Sequence, residues 1–123
     1  MITLNWFKVS QNSLNLIENK SGIYVISVLL KNGEYAAIYV GQSVRLKDRV
    51  VEHFSENETN VQLKDFLKKN YDFKISYAYR EEKDLDGIEK YLIGAFRPLF
   101  NKQDGNGDER FRCSEPNVIP WPN

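Results

Sequence analysis

The 123-residue sequence is poor in the residues that form cross-links, with only one cysteine and one histidine. The single cysteine, Cys113, excludes an intrachain disulfide, and one cysteine with one histidine cannot supply a zinc site of the Cys/His type. The sequence also lacks a signal peptide and an apolar run long enough to span a membrane. We therefore expect a cytoplasmic protein with no membrane partner.

The sequence also lacks net charge, because 17 basic residues balance 17 acidic residues. Non-specific affinity for nucleic acid grows with the number of phosphates that a protein neutralises, so tight autonomous binding to DNA requires segregated charges. Some segregation is present: residues 1–80 carry 11 Lys and Arg against 8 Asp and Glu, whereas residues 81–123 carry 6 against 9. The length is typical of one domain with a single core.

Two apolar runs separated by an Asn-Gly pair predict a β-hairpin. Residues 22–30 are apolar, β-branched and aromatic without a charge, which is typical of a strand buried on both faces. Residues 35–40 form the second run. Asn32 and Gly33 between them favour a two-residue type I′ turn.

This turn fixes which residues face each other across the hairpin. Tyr24 then lies opposite Gly41, and Ile26 lies opposite Tyr39. Because directly opposed residues share one face of a sheet, the two tyrosines point the same way, and Gly41 leaves space beside the Tyr24 ring. Two phenols converging on a pocket are one interpretation; the alternative is that they only pack an edge of the core.

A helix is expected directly after the hairpin, over residues 44–54, with Ser43 as its N-cap. Its core stripe has the spacing i, i+4, i+8 and consists of Leu46, Val50 and Phe54.

A second stripe on this helix is basic: Arg45, Arg49 and His53 have the same spacing one residue earlier. These side chains lie about 100° around the helix from the core stripe, at the boundary of the core. Near a helix N-terminus they indicate a phosphate clamp. The alternative is a solvated basic face partnered by Asp48 and Glu52.

An acidic residue lies on the apolar face of the last predicted helix, residues 84–96. The apolar positions are Leu85, Ile88, Leu92, Ile93 and Phe96, and Glu89 falls among them. A carboxylate on such a face is costly unless it is paired, protonated or bound to a metal. A metal ligand and a buried Glu–Arg ion pair are both compatible with this position. Pro98 ends the helix, and Asn101 begins the following loop.

The ordered set of these elements resembles the GIY-YIG nuclease domain. The matching residues are Gly22-Ile23-Tyr24, Tyr39-Val40-Gly41-Gln42-Ser43, Leu46, Arg49, His53, Glu89, Pro98 and Asn101. The second triplet has Val where the family name has Ile. The resemblance extends from about Ser21 to Lys102, which is most of the chain.

The resemblance implies an α/β (α+β) fold with a three-stranded antiparallel sheet flanked by helices. A helix over residues 61–69 and a third strand over residues 71–80 are readable in the sequence. Residues 1–20 form an N-terminal extension with a short helix at 13–18, residues 21–102 form the nuclease-like domain, and residues 103–123 form a C-terminal loop or tail.

The resemblance also implies roles in metal-dependent hydrolysis of DNA. Glu89 is the ligand of one Mg²⁺, which Mn²⁺ can replace, and Arg49 stabilises the phosphorane transition state. Tyr24 is the general base or positions the water, Tyr39 orients it or shares the task, and His53 relays a proton or orients Tyr24.

The remaining candidate residues bind substrate or support the structure of the site. Asn101 anchors the Glu89 helix and the floor of the site, and Gly41 gives substrate space to approach the backbone. Ser43, within the matched motif, is a candidate substrate-binding residue. Arg45 lies outside the matched motif and is a candidate contact to a substrate phosphate.

Three functions are compatible with these observations. The first is a metal-dependent DNA endonuclease. The second is a catalytically weak nucleic-acid-binding module that a targeting protein or self-association recruits, and the balanced charge favours it. The third is an interaction domain in which Glu89 and Arg49 form a structural pair.

Overall fold

A computed structural model of the protein describes residues 1–101, 105 and 107–122. The predicted domain end at Lys102 and positions 103, 104, 106 and 123 of the tail lie outside the described residues. In chain order the elements are β1 (Ile2–Thr3), β2 (Asn5–Lys8), a 3-10 helix (Ser13–Leu16), β3 (Gly22–Leu29), β4 (Tyr35–Ser43), α1 (Leu46–His53), α2 (Val61–Leu67), β5 (Phe73–Tyr79), α3 (Glu82–Phe96), a 3-10 helix (Glu109–Phe111), β6 (Cys113–Ser114) and β7 (Val118–Ile119).

The main sheet has the strand order β2-β5-β3-β4-β7. The predicted antiparallel trio of β5, β3 and β4 forms its centre, which confirms the α/β fold class and the order of elements from β3 to α3. Among the described residues the sheet has five strands instead of the predicted three, because β2 adds antiparallel to β5 and β7 adds parallel to β4. Both terminal segments therefore complete the edges of the central sheet.

Two layers of helices cover the sheet. On one face, α1 and α2 pack against the strands through Leu46, Val50, Leu63 and Leu67. On the other face, α3 packs through Leu85, Ile88, Leu92 and Ile93. Every residue of β3 except Leu29 is buried, as expected for a strand with both faces covered. Each fully buried aliphatic side chain contributes about 1.5–3 kcal/mol to folding.

The hairpin loop differs from the predicted two-residue turn. It contains three residues, 31–33, and is closed by a hydrogen bond from the Leu30 N–H to the Glu34 carbonyl at 2.8 Å. Gly33 has φ of 88°, but Asn32 has no positive φ, so the type I′ prediction is wrong. Asn32 instead accepts the Glu34 N–H through its side chain at 2.9 Å. An Asx side chain can close a turn in this way without adopting the left-handed conformation.

A β-bulge restores the predicted register near the tyrosines. The pairing shifts between Ile26 and Ser27, which leaves Ile38 of β4 as the extra residue. Beyond the bulge, Ile26 pairs with Tyr39 and Tyr24 pairs with Gly41, as predicted. The shift in strand register caused by the additional loop residue is therefore cancelled by the opposite shift at the bulge.

Helix α1 begins later than predicted. β4 continues to Ser43, which pairs with Gly22 in the ladder, and the helix N-cap is Arg45. The Ser43 hydroxyl accepts the Arg45 N–H at 2.9 Å. The prediction of Ser43 as N-cap is wrong because β4 extends through Ser43 and the first helical residue is Leu46, which makes Arg45 the N-cap.

The N-terminal segment contains less helix than predicted. Only residues 13–16 are helical, as a 3-10 turn in which the Asn15 N–H bonds to the Asn12 carbonyl at 3.2 Å. No helix among the described residues has the length and apolar character needed to cross a membrane.

Candidate active site

The two tyrosines of the hairpin lie on the same face of the sheet as α1. Their ring centroids are 6.3 Å apart. A Cβ atom at Gly41 would overlap the Tyr24 phenol, so the glycine provides the space in which this ring sits. Tyr24 is buried, whereas Tyr39 is partly exposed. The site therefore has one enclosed phenol and one that solvent reaches.

His53, at the end of α1, packs between the tyrosines. Its ring meets both in edge-on arrangements, with centroids 5.4 Å from Tyr24 and 5.1 Å from Tyr39. The Tyr24 hydroxyl lies 2.5 Å from His53 Nε2. The His53 side chain is fully buried, which does not fit the alternative of a solvated basic stripe.

Glu58 is a residue of this cluster that the sequence did not indicate. It lies in the loop between α1 and α2, and its side chain is fully buried. Oε2 lies 2.5 Å from His53 Nδ1 and 3.3 Å from Arg49 Nη1, while Oε1 accepts the Asn60 N–H at 2.9 Å. The segment 55–60 is a polar loop with two glutamates and no periodicity, so its sequence carries no signal that distinguishes Glu58.

Arg49 lies beside the tyrosines, with 27% of its side chain exposed. Its Nη1 contacts Glu52 Oε1 at 2.7 Å as well as Glu58. Its positive charge lowers the pKa of Tyr24 and Tyr39 against the dominant effect of burial. The Arg49 guanidinium thus lies between the two glutamates, Glu52 and Glu58, and the two tyrosine hydroxyls.

Arg45 is apart from this cluster. Its guanidinium pairs with Asp48 at 2.6 Å, and 70% of its side chain is exposed. Of the three basic residues with helical spacing, Arg49 and His53 are brought together near the tyrosines, whereas Arg45 is a surface residue as in the solvated alternative. Ser43 lies at the end of β4 and supports the turn into α1 through its hydroxyl.

Glu89 is half-buried on α3. Burial raises the pKa of its carboxyl group, Gln42 opposes this by hydrogen bonding, and Asp86 adds to it. Gln42 also donates to Asp86 Oδ1 at 2.6 Å, so the end of β4 is tied to this part of α3. No salt bridge involves Glu89 within residues 1–101, 105 and 107–122, and the predicted alternative of a Glu89–Arg49 pair is therefore wrong.

The surroundings of Glu89 fit a hard divalent cation. A partly desolvated carboxylate that has no Lys or Arg partner favours binding of a cation. Mg²⁺ keeps most of its coordinated waters, so one protein carboxylate is enough to bind it. A cluster of three or more carboxylate, His or Cys ligands is absent from the described part of the chain.

Asn101 is joined to β4 by two hydrogen bonds. Its Oδ1 accepts the Val40 N–H at 2.7 Å, and its Nδ2 donates to the Val40 carbonyl at 2.9 Å. The loop after α3 is also held by the Phe100 N–H, which donates to the Ile38 carbonyl at 2.8 Å. These bonds fix the backbone between Tyr39 and Gly41.

Burial controls protonation in the cluster. It raises the pKa of Tyr24 well above the usual value, with a further contribution from Tyr39, and Tyr24 is therefore a neutral phenol at pH 7. Burial and then Arg49 lower the pKa of His53 to about 4, against the opposing effect of Glu58, so the imidazole is neutral as well. For Glu58, burial opposes ionisation, but Asn60, His53 and Arg49 together lower its pKa. Glu58 is therefore negatively charged at pH 7, whereas Tyr24 and His53 are neutral.

Comparison with known protein families gives a match over most of the chain. The chain matches the model of the UvrC-like GIY-YIG domain over residues 20–102, about two thirds of its length. Searches among curated proteins and among solved structures gave no significant match. GIY-YIG domains are generally nucleases that act on DNA with a divalent metal. The chain belongs to the family of UvrC-like GIY-YIG domains.

Proposed function

We propose that the protein is a metal-dependent endonuclease that hydrolyses DNA phosphodiester bonds and leaves a 5′-phosphate and a 3′-hydroxyl. The observation that carries this proposal is the buried cluster in which the Tyr24 hydroxyl meets His53 Nε2, with Arg49 beside it. These side chains come from β3 and α1, and their proximity supports the proposal that they act together as proton acceptor and phosphate ligand.

Tyr24 receives the proton of the attacking water. Its pKa is too high for a free phenolate at neutral pH, so the phenol passes its own proton to His53 Nε2 as it accepts one from water. Tyr39, the more exposed of the two, holds the water or the phosphate in position. The new P–O bond forms as the bond to the 3′-oxygen breaks, and that oxygen takes up a proton from solvent.

Arg49 stabilises the charge that develops on the phosphorus oxygens. Only Nη1 is placed against Glu52 and Glu58, and a guanidinium has five N–H donors, so the remaining face can bind a phosphate oxygen. Glu89 would hold one Mg²⁺, or Mn²⁺ in its place, which supplies Lewis-acid stabilisation of the same charge. Gly41 keeps the backbone open beside Tyr24, Asn101 fixes that backbone, and Arg45 and Ser43 contact flanking phosphates at the surface.

A second function has one observation in its favour. Because two carboxylates contact Arg49 and the chain has no net charge, the domain could bind nucleic acid without cutting it when a partner protein or self-association recruits it. Both functions predict DNA binding, and only the first predicts cleavage.

The test uses supercoiled, linear and branched DNA with Mg²⁺ or Mn²⁺. We expect cleavage that requires the metal and is lost in Glu89→Ala and in Arg49→Ala, by about 100-fold or more, because each removes charge stabilisation from the transition state. Glu82→Ala and Arg112→Ala are the matched controls, since these exposed side chains lie outside the cluster. Cleavage that is indifferent to Glu89 would contradict the enzyme, and binding without cleavage in any metal would support the second function.

A further inference from the structure

The proposed chemistry leaves one buried charge without a role. The Glu58 side chain has no exposure, although a buried carboxylate is costly unless it is well compensated. Its compensation comes from the His53 ring, the Arg49 guanidinium and the Asn60 N–H. Asn60 in turn caps α2 by accepting the Leu63 N–H at 3.1 Å, so the loop that carries Glu58 is anchored on both sides.

The contacts of Glu58 determine the state of the imidazole. A neutral histidine has one N–H donor and one acceptor nitrogen, and a carboxylate only accepts. Glu58 Oε2 lies 2.5 Å from Nδ1 in an ion-pair contact that falls outside hydrogen-bond geometry. Two unprotonated acceptor atoms at this distance would repel each other, so the proton of His53 belongs on Nδ1. Nε2 is then the acceptor, and it is the nitrogen that faces the Tyr24 hydroxyl at 2.5 Å.

We propose that Glu58 is a positioning residue that holds His53 in the Nδ1–H tautomer, so that Nε2 accepts the Tyr24 proton in the reaction. This inference rests on the proposed nuclease function. During water attack, one proton moves from water to the Tyr24 oxygen and one moves from Tyr24 to Nε2. The imidazolium that forms is stabilised by the Glu58 carboxylate. After cleavage Nε2 returns its proton to the Tyr24 oxygen as Tyr24 releases one proton to solvent, so that both groups are neutral again.

Other groups facing His53 do not fix this tautomer. Tyr24 and Tyr39 face the ring from β3 and β4, and Arg49 acts on it from α1. Hydroxyl groups can donate or accept, and arginine only donates. Among the groups described around His53, Glu58 is therefore the one that can only accept a hydrogen, and the nitrogen that faces it, Nδ1, must carry the proton.

A purely structural role for Glu58 would act through Arg49 instead. Glu52 offers a matched control, because its carboxylate contacts the same Nη1 atom of Arg49, at 2.7 Å. Among the described residues, no hydrogen bond or ion pair joins the Glu52 and His53 side chains. A change that acts through Arg49 should appear in variants of both glutamates. A change that acts through the imidazole should appear only in variants of Glu58.

The test is ¹⁵N nuclear magnetic resonance of His53, the single histidine of the chain, at pH 7 without DNA. In the wild-type protein we expect Nδ1 to be protonated and Nε2 unprotonated. Glu58→Ala should change this pattern, whereas Glu52→Gln should leave it unchanged. Protonation of Nε2 in the wild type, or an unchanged pattern in Glu58→Ala, would overturn the proposal without any need for a functional assay.

Kinetics provide the second readout. We expect Glu58→Ala to lower kcat by about 100- to 1000-fold with little change in KM, since the loss of an orienting carboxylate affects proton transfer and not binding. Glu58→Gln keeps the shape of the side chain and removes only its charge, so it controls for a folding defect in Glu58→Ala. It should also lower kcat, because the imidazolium loses its charge partner. A wild-type protein with the expected tautomer but no cleavage would overturn the nuclease and support the tautomer assignment. Normal kcat in both variants would overturn the positioning role.

Discussion

The close contact between Gly41 and Tyr24 predicts a large effect of one methyl group. In Gly41→Ala, the new Cβ would overlap three atoms of the Tyr24 ring and hydroxyl, and Tyr24 has only 1% exposure, so the ring has no open space into which to move. Overpacking of a buried site costs about 1–3 kcal/mol. Replacing a strand glycine by alanine otherwise stabilises by about 0.5–1 kcal/mol, so the clash decides the sign.

Thermal unfolding measures this effect. Unfolding entropy is about 2.1 cal/mol/K per residue, so for 123 residues each kcal/mol corresponds to about 4 °C. The cost of the clash less the gain from alanine is a net loss of up to about 2.5 kcal/mol, so we expect Tm to fall by up to about 10 °C. Cleavage should fall further than stability, because displacement of the ring moves its hydroxyl away from His53. Gly107→Ala is the control, since no atom of the described residues lies within 4 Å of its added Cβ, and a change within about 0.5 kcal/mol is expected. Wild-type Tm and wild-type cleavage in Gly41→Ala would refute the packing described here.

Three further perturbations have defined outcomes. Asn101→Ala removes both hydrogen bonds to Val40 and should lower the free energy of unfolding in urea by about 1–3 kcal/mol. The pKa of His53 is about 4 in the folded protein against about 6.5 when unfolded, so the unfolded state binds more protons between these values and stability should fall as the pH drops from about 6.5 towards 4. Lys74→Ala leaves the buried Glu115 carboxylate without its cation and should lower the free energy of unfolding by about 3–5 kcal/mol.

Each of these predictions has its own control. Asn57→Ala, at an exposed loop position, should be nearly silent in urea. The fall in stability at acid pH should be smaller in His53→Gln, and an unchanged pH profile there would contradict the buried neutral imidazole. Lys83→Ala breaks a pair in which both side chains are about three-quarters exposed, so an effect as large as that of Lys74→Ala would contradict the burial argument.

The sequence predicted the centre of the fold because its strongest local patterns lie there. The apolar run of β3, the Asn-Gly pair and the two amphipathic helices each favour one element, and together they give the correct order. The edge strands β2 and β7 were not predicted, since they have four and two residues and depend on pairing with distant strands. The bulge at Ile38 was also invisible, because its extra residue is as apolar as its neighbours.

The site shows a similar division. Periodicity brought Arg49 and His53 to the boundary of the core, and the structure places both beside the tyrosines. The same periodicity wrongly grouped Arg45 with them, because Arg45 precedes the first helical residue and its side chain turns to Asp48. Glu58 could not be found from spacing, since it reaches His53 from a loop whose path depends on the packing of α1 and α2.

Metal-dependent nicking of supercoiled DNA tests the central claim most directly. The wild-type protein should convert the plasmid to the nicked form in Mg²⁺ and not in a chelator, and Glu89→Gln should lose this activity by at least about 100-fold while remaining folded. DNA ligase should seal the nicks, because ligase joins a 5′-phosphate to a 3′-hydroxyl. No nicking by the wild type in Mg²⁺ or Mn²⁺, or equal nicking by Glu89→Gln, would contradict the assignment of this cluster as a nuclease centre.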